Sequence, residues 1–204
     1  MRAILVHGYN VKDGGAGTTG GLRPILEAAG YEVLEFNTGW RGLFMVRFGS
    51  AKRARRLARM IREGDLLIGH SDGCNLINLA SWCLANGSKP TPKFVAYINP
   101  ALDRDAQLAP QIHRALVCYT HSDSVVKVAK LLPFHNWGDM GAHGYAEKDP
   151  SKTDSRYVNL SHESMGVSNA GHSGALHGHN KNLLGERILR FVRSSEFWKR
   201  SQAV

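Results

Sequence analysis

The chain has 204 residues, of which 43% are hydrophobic and 21% are charged, and its formal net charge is +9 at pH 7. These values are typical of a soluble globular domain and exclude a disordered chain. No apolar run is long enough to cross a bilayer, which excludes a membrane-spanning protein. We therefore expect one domain over residues 1–204. Because the N-terminus lacks the apolar core of a signal peptide, we also expect a cytoplasmic location.

The hydrophobic pattern predicts strands that alternate with helices along the whole chain. In chain order the predicted elements are a strand at Met1–His7, a helix at Leu22–Ala29, a strand at Tyr31–Phe36, a helix at Arg47–Glu63, a strand at Leu66–Ile68 with a helix ending near Asn86, strands at Phe94–Ile98 and Ala115–Thr120, a helix at Ser124–Leu132, an irregular stretch at Pro133–Ser155, a strand at Arg156–Leu160 and a helix at Lys181–Phe197. Apolar strands between helices indicate a three-layer α/β/α sandwich with a mostly parallel sheet of about six strands.

The pentapeptide at residues 69–73, GHSDG, fits the pattern G-x-S-x-G between a buried strand and a helix. In that context the pattern is typical of a nucleophile elbow, a tight turn that holds a serine in a strained and exposed position. Ser71 would then lie at a helix N-terminus, where backbone N–H groups favour developing negative charge. A serine that only caps the helix is the alternative.

A serine nucleophile needs a base, and the base needs an orienting acid. The active site of such a sheet lies beyond the carboxyl ends of its strands. Asp123 follows the fifth predicted strand and His172 lies in the loop after the sixth. The alternatives are helix capping for Asp123, Asp103 or Asp105 as the acid, and another late histidine as the base. Those late histidines are His162, His177 and His179.

The loop after the first strand and the residue after the serine are the expected sources of oxyanion donors. We expect the backbone N–H groups of Tyr9 and Asp72 to act there, with Asn10 as the second choice after Tyr9. Two apolar segments are expected to form the walls of a substrate pocket, unless they pack in a satellite core. The wall candidates are Trp40, Phe44, Phe134, Trp137, Met140 and Tyr145.

Neither a cofactor nor a metal ion is expected. The three cysteines, Cys74, Cys83 and Cys118, lie in apolar segments and are expected to be reduced core residues. His135, Asp139 and His143 could be read as metal ligands, but their spacing is loose and their segment is irregular.

The helix predicted at residues 47–63 carries much of the positive charge. Its cations include Lys52, Arg53, Arg56 and Arg59. We interpret them as the solvated face of an amphipathic helix. The alternative is a docking face for an acidic polymer, nucleic acid or an anionic surface.

VHGYN near the start, GHSDG at the elbow and the later HSD and GHS together resemble the α/β-hydrolase superfamily. More narrowly, the chain resembles its smallest members, the minimal lipases and esterases without a cap domain, and the stretch WGDMGAHG is similar to bacteriophage-encoded hydrolases. The resemblance implies a six-stranded sheet with the elbow on a central strand. It also implies Ser71 as nucleophile, Asp123 as acid, His172 as base, and Tyr9 with Asp72 as oxyanion hole.

The resulting hypothesis is a serine hydrolase that cleaves a small-molecule or lipid-like carboxylic ester through an acyl-enzyme. An amide, a thioester or a cell-wall linkage could be cleaved by the same residues. A protein of another class, which binds a partner through its basic helix without catalysis, is the third alternative.

Overall fold

A computed structural model of the chain describes residues 1–9, 11–39, 43–85, 91–131, 137–167 and 171–202. Its strands are β1 (Arg2–Val6), β2 (Glu32–Phe36), β3 (Leu66–His70), β4 (Phe94–Ile98), β5 (Arg114–Tyr119) and β6 (Tyr157–Ser161). Its α-helices are α1 (Arg23–Ala28), α2 (Leu43–Ala58), α3 (Asp72–Ala85), α4 (Ser124–Ala129), α5 (Met140–His143) and α6 (Asn180–Gln202).

The six strands form one sheet in the order β2-β1-β3-β4-β5-β6, and every neighbouring pair is parallel. The prediction of a parallel α/β sandwich is therefore confirmed. All five residues of β3 and of β4 are buried, as expected for central strands that are covered on both faces. Because parallel strands end at the same edge, the residues that follow β1, β3, β4, β5 and β6 lie near one another.

Two buried apolar clusters cover the two faces of the sheet. One face packs against α1 and α6, through side chains such as Leu26 and Ile188. The other face packs against α2 and α3, through Leu57, Ile77 and Ala80. Among the described residues, no helix combines the length and apolarity needed to cross a membrane.

The structure differs from the predicted elements mainly at their ends. The basic helix, predicted at 47–63, occupies 43–58 and gives way to a turn at Arg59–Met60. Arg2 donates a hydrogen bond to the Met60 carbonyl, which helps to hold this turn against β1. The segment predicted to be irregular at 133–155 contains α5. This helix is a single turn, which is too short to produce a hydrophobic periodicity in the sequence.

Gly73, the second glycine of the elbow, is required by the packing of α3 on β1. A Cβ atom built on Gly73 would lie 2.3 Å from the Val6 carbonyl oxygen, which belongs to a buried backbone that cannot move aside. Gly69 is required in the same way, because its Cβ would lie 2.8 Å from Ile77 Cδ1 and 3.0 Å from the Cys74 nitrogen.

We expect Gly73→Ala to lower the free energy of unfolding by about 3 kcal/mol, near the upper end of the usual cost of overpacking a core. Gly21→Ala is the matched control, since a Cβ there would make only an ordinary 3.5 Å contact with the Leu176 carbonyl. Urea unfolding of both variants measures the effect. Equal stability of the two variants would contradict the close packing of α3 on β1.

Candidate active site

Ser71 occupies the turn between β3 and α3 with a positive φ of 54°. Such a backbone conformation is strained for a residue with a side chain and is characteristic of functional turns. The turn is held by backbone hydrogen bonds, from the Ser71 N–H to the Ile98 carbonyl (3.1 Å) and from the Cys74 N–H to the Ser71 carbonyl (3.1 Å). The sequence pattern thus coincides with a strained strand-to-helix turn at the carboxyl edge of the sheet.

Gly8, in the loop after β1, leaves room beside the Ser71 side chain. A Cβ atom on Gly8 would lie 2.8 Å from Ser71 Cβ and 3.4 Å from Ser71 Oγ. In the part of the chain that the structure describes, no hydrogen bond is formed by Ser71 Oγ. Ser71 is therefore not hydrogen-bonded to His172, the expected base, in this structure.

Asp123 and His172, which are 49 residues apart in sequence, form a hydrogen bond. The His172 Nδ1 atom lies 2.8 Å from Asp123 Oδ2, and Asp123 is fully buried. A carboxylate only accepts, so Nδ1–H is the donor and Nε2 is left with its lone pair. Asp123 also caps α4, since its Oδ1 accepts from the Val126 N–H at 3.1 Å. The capping role considered for Asp123 is thus compatible with a contact to His172.

The Asp123 carboxylate is stabilised in its charged form. Burial raises the pKa of Asp123, but the hydrogen bond and charge of His172 and the bonds donated by Val126 and Asn99 outweigh it. The net result is a pKa below the ordinary value of an aspartate. Asp123 is therefore an anion at neutral pH and accepts the hydrogen bond from His172 as a carboxylate.

His70, the residue before the serine, contacts the loop that carries His172. Its Nε2 lies 2.9 Å from the His172 carbonyl oxygen, so Nε2 carries the proton and donates it. The two imidazole rings lie 4.7 Å apart. Burial, followed by the neighbouring His172, lowers the pKa of His70 to about 3. At neutral pH His70 is therefore an uncharged donor that ties the His172 loop to β3.

The other acids and histidines considered from the sequence form no hydrogen bond with Asp123 or His172 in the described part of the chain. Asp105 forms an ion pair with Lys148 at 2.7 Å, and Asp103 and Asp105 both line a charged surface cavity of about 440 Å³. His162 follows β6, is fully buried, and its ring nitrogens have no hydrogen-bond partner within the described residues. His172 is the late histidine that contacts Asp123.

Asp72, the expected oxyanion donor after the serine, is the first residue of α3, so its backbone N–H has no partner within the helix. Its buried carboxylate turns inward. Asp72 Oδ1 accepts a 3.0 Å hydrogen bond from Trp137 Nε1, and Oδ2 lies 3.9 Å from Arg53 Nη1. These contacts fix the first turn of α3, and they were not predicted from the sequence.

Arg53 corrects the prediction for the basic helix. Its side chain is buried beside Asp72, so it does not belong to the solvated face to which we assigned it. Arg56 is exposed, lies over the Phe36 ring and donates to the Asn37 carbonyl. Lys52 and Arg59 are exposed. Binding of an acidic polymer to the remaining cations stays a prediction.

The expected pocket walls are only partly described. Tyr9 packs on Trp137 with ring centroids 5.9 Å apart, in a small apolar cluster beside the elbow. Met140 has no exposed surface and packs in the main core, so its assignment as a substrate contact is corrected to a packing role. Trp40, Phe134 and Asn10 lie outside the described residues, as does the side chain of Phe44.

Of the three residues that could be read as metal ligands, Asp139 and His143 lie in the described part of the chain. Asp139 forms an ion pair with Lys130 at 3.0 Å, and His143 Nε2 lies 3.9 Å from the same carboxylate. His135 is outside the described ranges. Among the described residues, no group of three or more candidate ligands could hold a metal ion.

Asn99 is a site residue that the sequence analysis missed. It follows β4, is fully buried, and donates a 3.0 Å hydrogen bond from Nδ2 to Asp123 Oδ2. The trace in the sequence is slight: an asparagine directly at a strand end, which is a residue type that tolerates left-handed backbone.

No protein-family model and no curated protein matches the chain. The fold is similar to that of a pyrethroid hydrolase, PytH, with a TM-score of 0.57 and 12% identity over 96% of this chain and 98% of that one. An extracellular α/β-hydrolase from a Paenibacillus species gives 0.55 and 10% identity, over 93% and 98%. A predicted CIB-like hydrolase from Thermoplasma acidophilum gives 0.50 and 14%, over 98% and 86%. The chain therefore has the α/β-hydrolase fold.

The low pKa of His70 predicts acid sensitivity. Between pH 6.5 and about 3 the unfolded chain binds a proton at residue 70 that the folded chain does not bind. The ionisation of His70 therefore does not affect stability at neutral pH. Below pH 6.5 it lowers the free energy of unfolding by about 1.4 kcal/mol per pH unit. We expect His70→Gln to be less stable than wild type at pH 7, with a shallower loss of stability on acidification. Urea unfolding from pH 7.5 to 4.5 measures both slopes, and equal slopes would contradict a neutral buried His70.

Proposed function

We propose that the protein is a serine hydrolase that cleaves carboxylic esters through an acyl-enzyme. The observation that carries the proposal is the coincidence, at one sheet edge, of a strained Ser71 and a hydrogen-bonded pair of the buried Asp123 and the half-buried His172. The fold agrees with it, because the similar solved structures are hydrolases by name. One of them is described as acting on pyrethroids, and esters are accordingly the first substrates to test here.

In the proposed reaction, Ser71 Oγ attacks the ester carbonyl carbon while its proton passes to His172 Nε2. This nitrogen has the free lone pair because Nδ1–H donates to Asp123. The imidazolium that forms is stabilised by the adjacent carboxylate, which itself stays ionised. His172 then gives the proton to the departing alcohol, which leaves an acyl group on Ser71.

The tetrahedral intermediate carries a negative charge on the former carbonyl oxygen. The backbone N–H of Asp72 supports this charge, because it belongs to the first residue of a 14-residue helix and has no partner within that helix. The N–H of Tyr9 is the proposed second donor, from the loop after β1. Water, activated by His172, then attacks the acyl-enzyme and releases the acid and free Ser71.

Kinetics with a series of p-nitrophenyl esters of increasing acyl length tests the proposal. We expect Ser71→Ala and His172→Ala each to lower kcat by about 10⁴-fold or more, because either change removes the nucleophile–base unit. Ser194→Ala, an exposed serine on α6, and His177→Ala are the matched controls and should retain activity. Retention of most activity by Ser71→Ala would overturn the mechanism.

Parallel assays with matched thioester and amide substrates identify the bond that is cleaved. The same residues can transfer an acyl group from any of the three, so the ratio of kcat/KM values decides among them. We expect the ester to be preferred. If only the amide or only the thioester is hydrolysed, Ser71 remains the proposed nucleophile, but the proposed substrate class changes from ester to the bond that is cleaved.

A further inference from the structure

Asn99 has an unusual backbone conformation for a fully buried residue. Its φ is 44°, and within the described ranges Asn99 and Ser71 are the two residues other than glycine with a positive φ. Both follow central strands, β4 and β3 respectively, and the Ser71 N–H bonds to the Ile98 carbonyl that precedes Asn99. Strain of this kind persists where the surrounding structure requires it.

The side chain of Asn99 adds a second cost. Its Oδ1 atom is buried and has no hydrogen-bond partner among the residues that the structure describes. Glycine at this position would accept the same φ without strain and would bury no amide oxygen. An asparagine here is therefore unfavourable for stability unless its Nδ2 group does something that glycine cannot do.

The Nδ2 group donates to the acid of the candidate active site. Asn99 Nδ2 lies 3.0 Å from Asp123 Oδ2, the same oxygen that accepts from His172 Nδ1 at 2.8 Å. The other carboxylate oxygen, Oδ1, accepts from the Val126 N–H. Both oxygens thus have a donor besides His172, and the two donors fix the rotation of the carboxylate about its bond to Cβ.

The backbone around Asn99 is held rigidly. Its N–H donates to the Cys118 carbonyl at 2.8 Å, which ties it to β5. Gly141 packs so closely on it that a Cβ there would lie 2.6 Å from the Asn99 carbonyl carbon. Asn99 Nδ2 also lies 3.4 Å from the Gly141 carbonyl oxygen. The amide is therefore presented to Asp123 by a fixed frame.

We propose that Asn99 is a positioning residue that orients the Asp123 carboxylate toward His172, a role that rests on the proposed hydrolase function. Nδ2–H holds Oδ2 in line with His172 Nδ1 and shares the negative charge of the carboxylate. Asn99 does not contact the reacting atoms and acts through Asp123. Its benefit is thus expected in the chemical step and not in substrate binding.

Two variants separate the amide from the backbone conformation. Asn99→Gly keeps the backbone and removes the donor, so we expect it to fold and to lower kcat by about 10- to 100-fold with KM changed less than twofold. Asn78→Ala is the control. It removes an amide whose Oδ1 also has no partner within the described ranges, and this amide forms no hydrogen bond with Asp123 there. Urea unfolding verifies that each variant is folded.

Asn99→Asp provides a pH-dependent rescue. The introduced carboxyl can donate to Asp123 only when protonated, and the neighbouring carboxylate raises the pKa of that introduced group. Activity relative to wild type should therefore rise as the pH falls from 8 to 5, whereas the ratio for Asn99→Gly should stay flat. Among the described residues, the ionisable groups that interact with Asp123 in the wild type are His172, His70 and His162, and they are unchanged in both variants.

A proton NMR measurement keeps the inference independent of catalysis. The His172 Nδ1–H resonance should be sharp at low field in wild type and broadened by exchange in Asn99→Gly. An unchanged resonance, a kcat within twofold of wild type for Asn99→Gly, or a flat pH ratio for Asn99→Asp would each overturn the positioning role. A wild type that turns over no ester would instead reject the proposed function, and the resonance alone would then decide the role of Asn99.

Discussion

The candidate active site depends on one constraint, which is that the carboxylate of Asp123 is buried away from water. An ionised group with no exposed surface is stable only if donors replace its lost hydration. Three separate elements supply them: the first turn of α4 through Val126, the residue after β4 through Asn99, and the loop after β6 through His172. The parallel sheet makes this convergence feasible, because the elements that follow its strands meet at one edge.

The same edge carries two buried ionic or polar arrangements that support the elbow. Asp72 is held by Trp137 on one side and approached by Arg53 on the other, which fixes the first turn of α3 beneath Ser71. His70, on the other side of Ser71, is a neutral donor to the His172 loop. The strained serine is thus bracketed by two anchored neighbours. Rigid surroundings of this kind are what a preorganised site requires, since they hold reacting groups without reorganisation during the reaction.

Much of the fold and part of the site could be predicted from the sequence for local reasons. Apolar runs indicated the six strands. Asp123 and His172, which form a hydrogen bond in the structure, were singled out because each follows a strand and carries suitable chemistry. Asn99 was missed because its partner lies 24 residues away and its positive φ leaves little trace in sequence. Arg53 was misplaced because charge was equated with exposure. It precedes the buried Leu57 by four residues, a spacing that places both on one helix face. Met140 was misassigned because an apolar residue in an irregular segment fits a pocket wall and a core equally well.

Mass spectrometry of the intact protein after reaction with a fluorophosphonate tests the proposed mechanism most directly. The reagent phosphonylates a serine only where a base and an oxyanion site activate it. The predicted result is a single adduct that maps to Ser71. It should not form on protein that is unfolded before the reaction, nor on His172→Ala. A folded wild-type protein that forms no adduct, or forms it at another residue, would contradict the assignment of Ser71 as a nucleophile activated by His172 and Asp123.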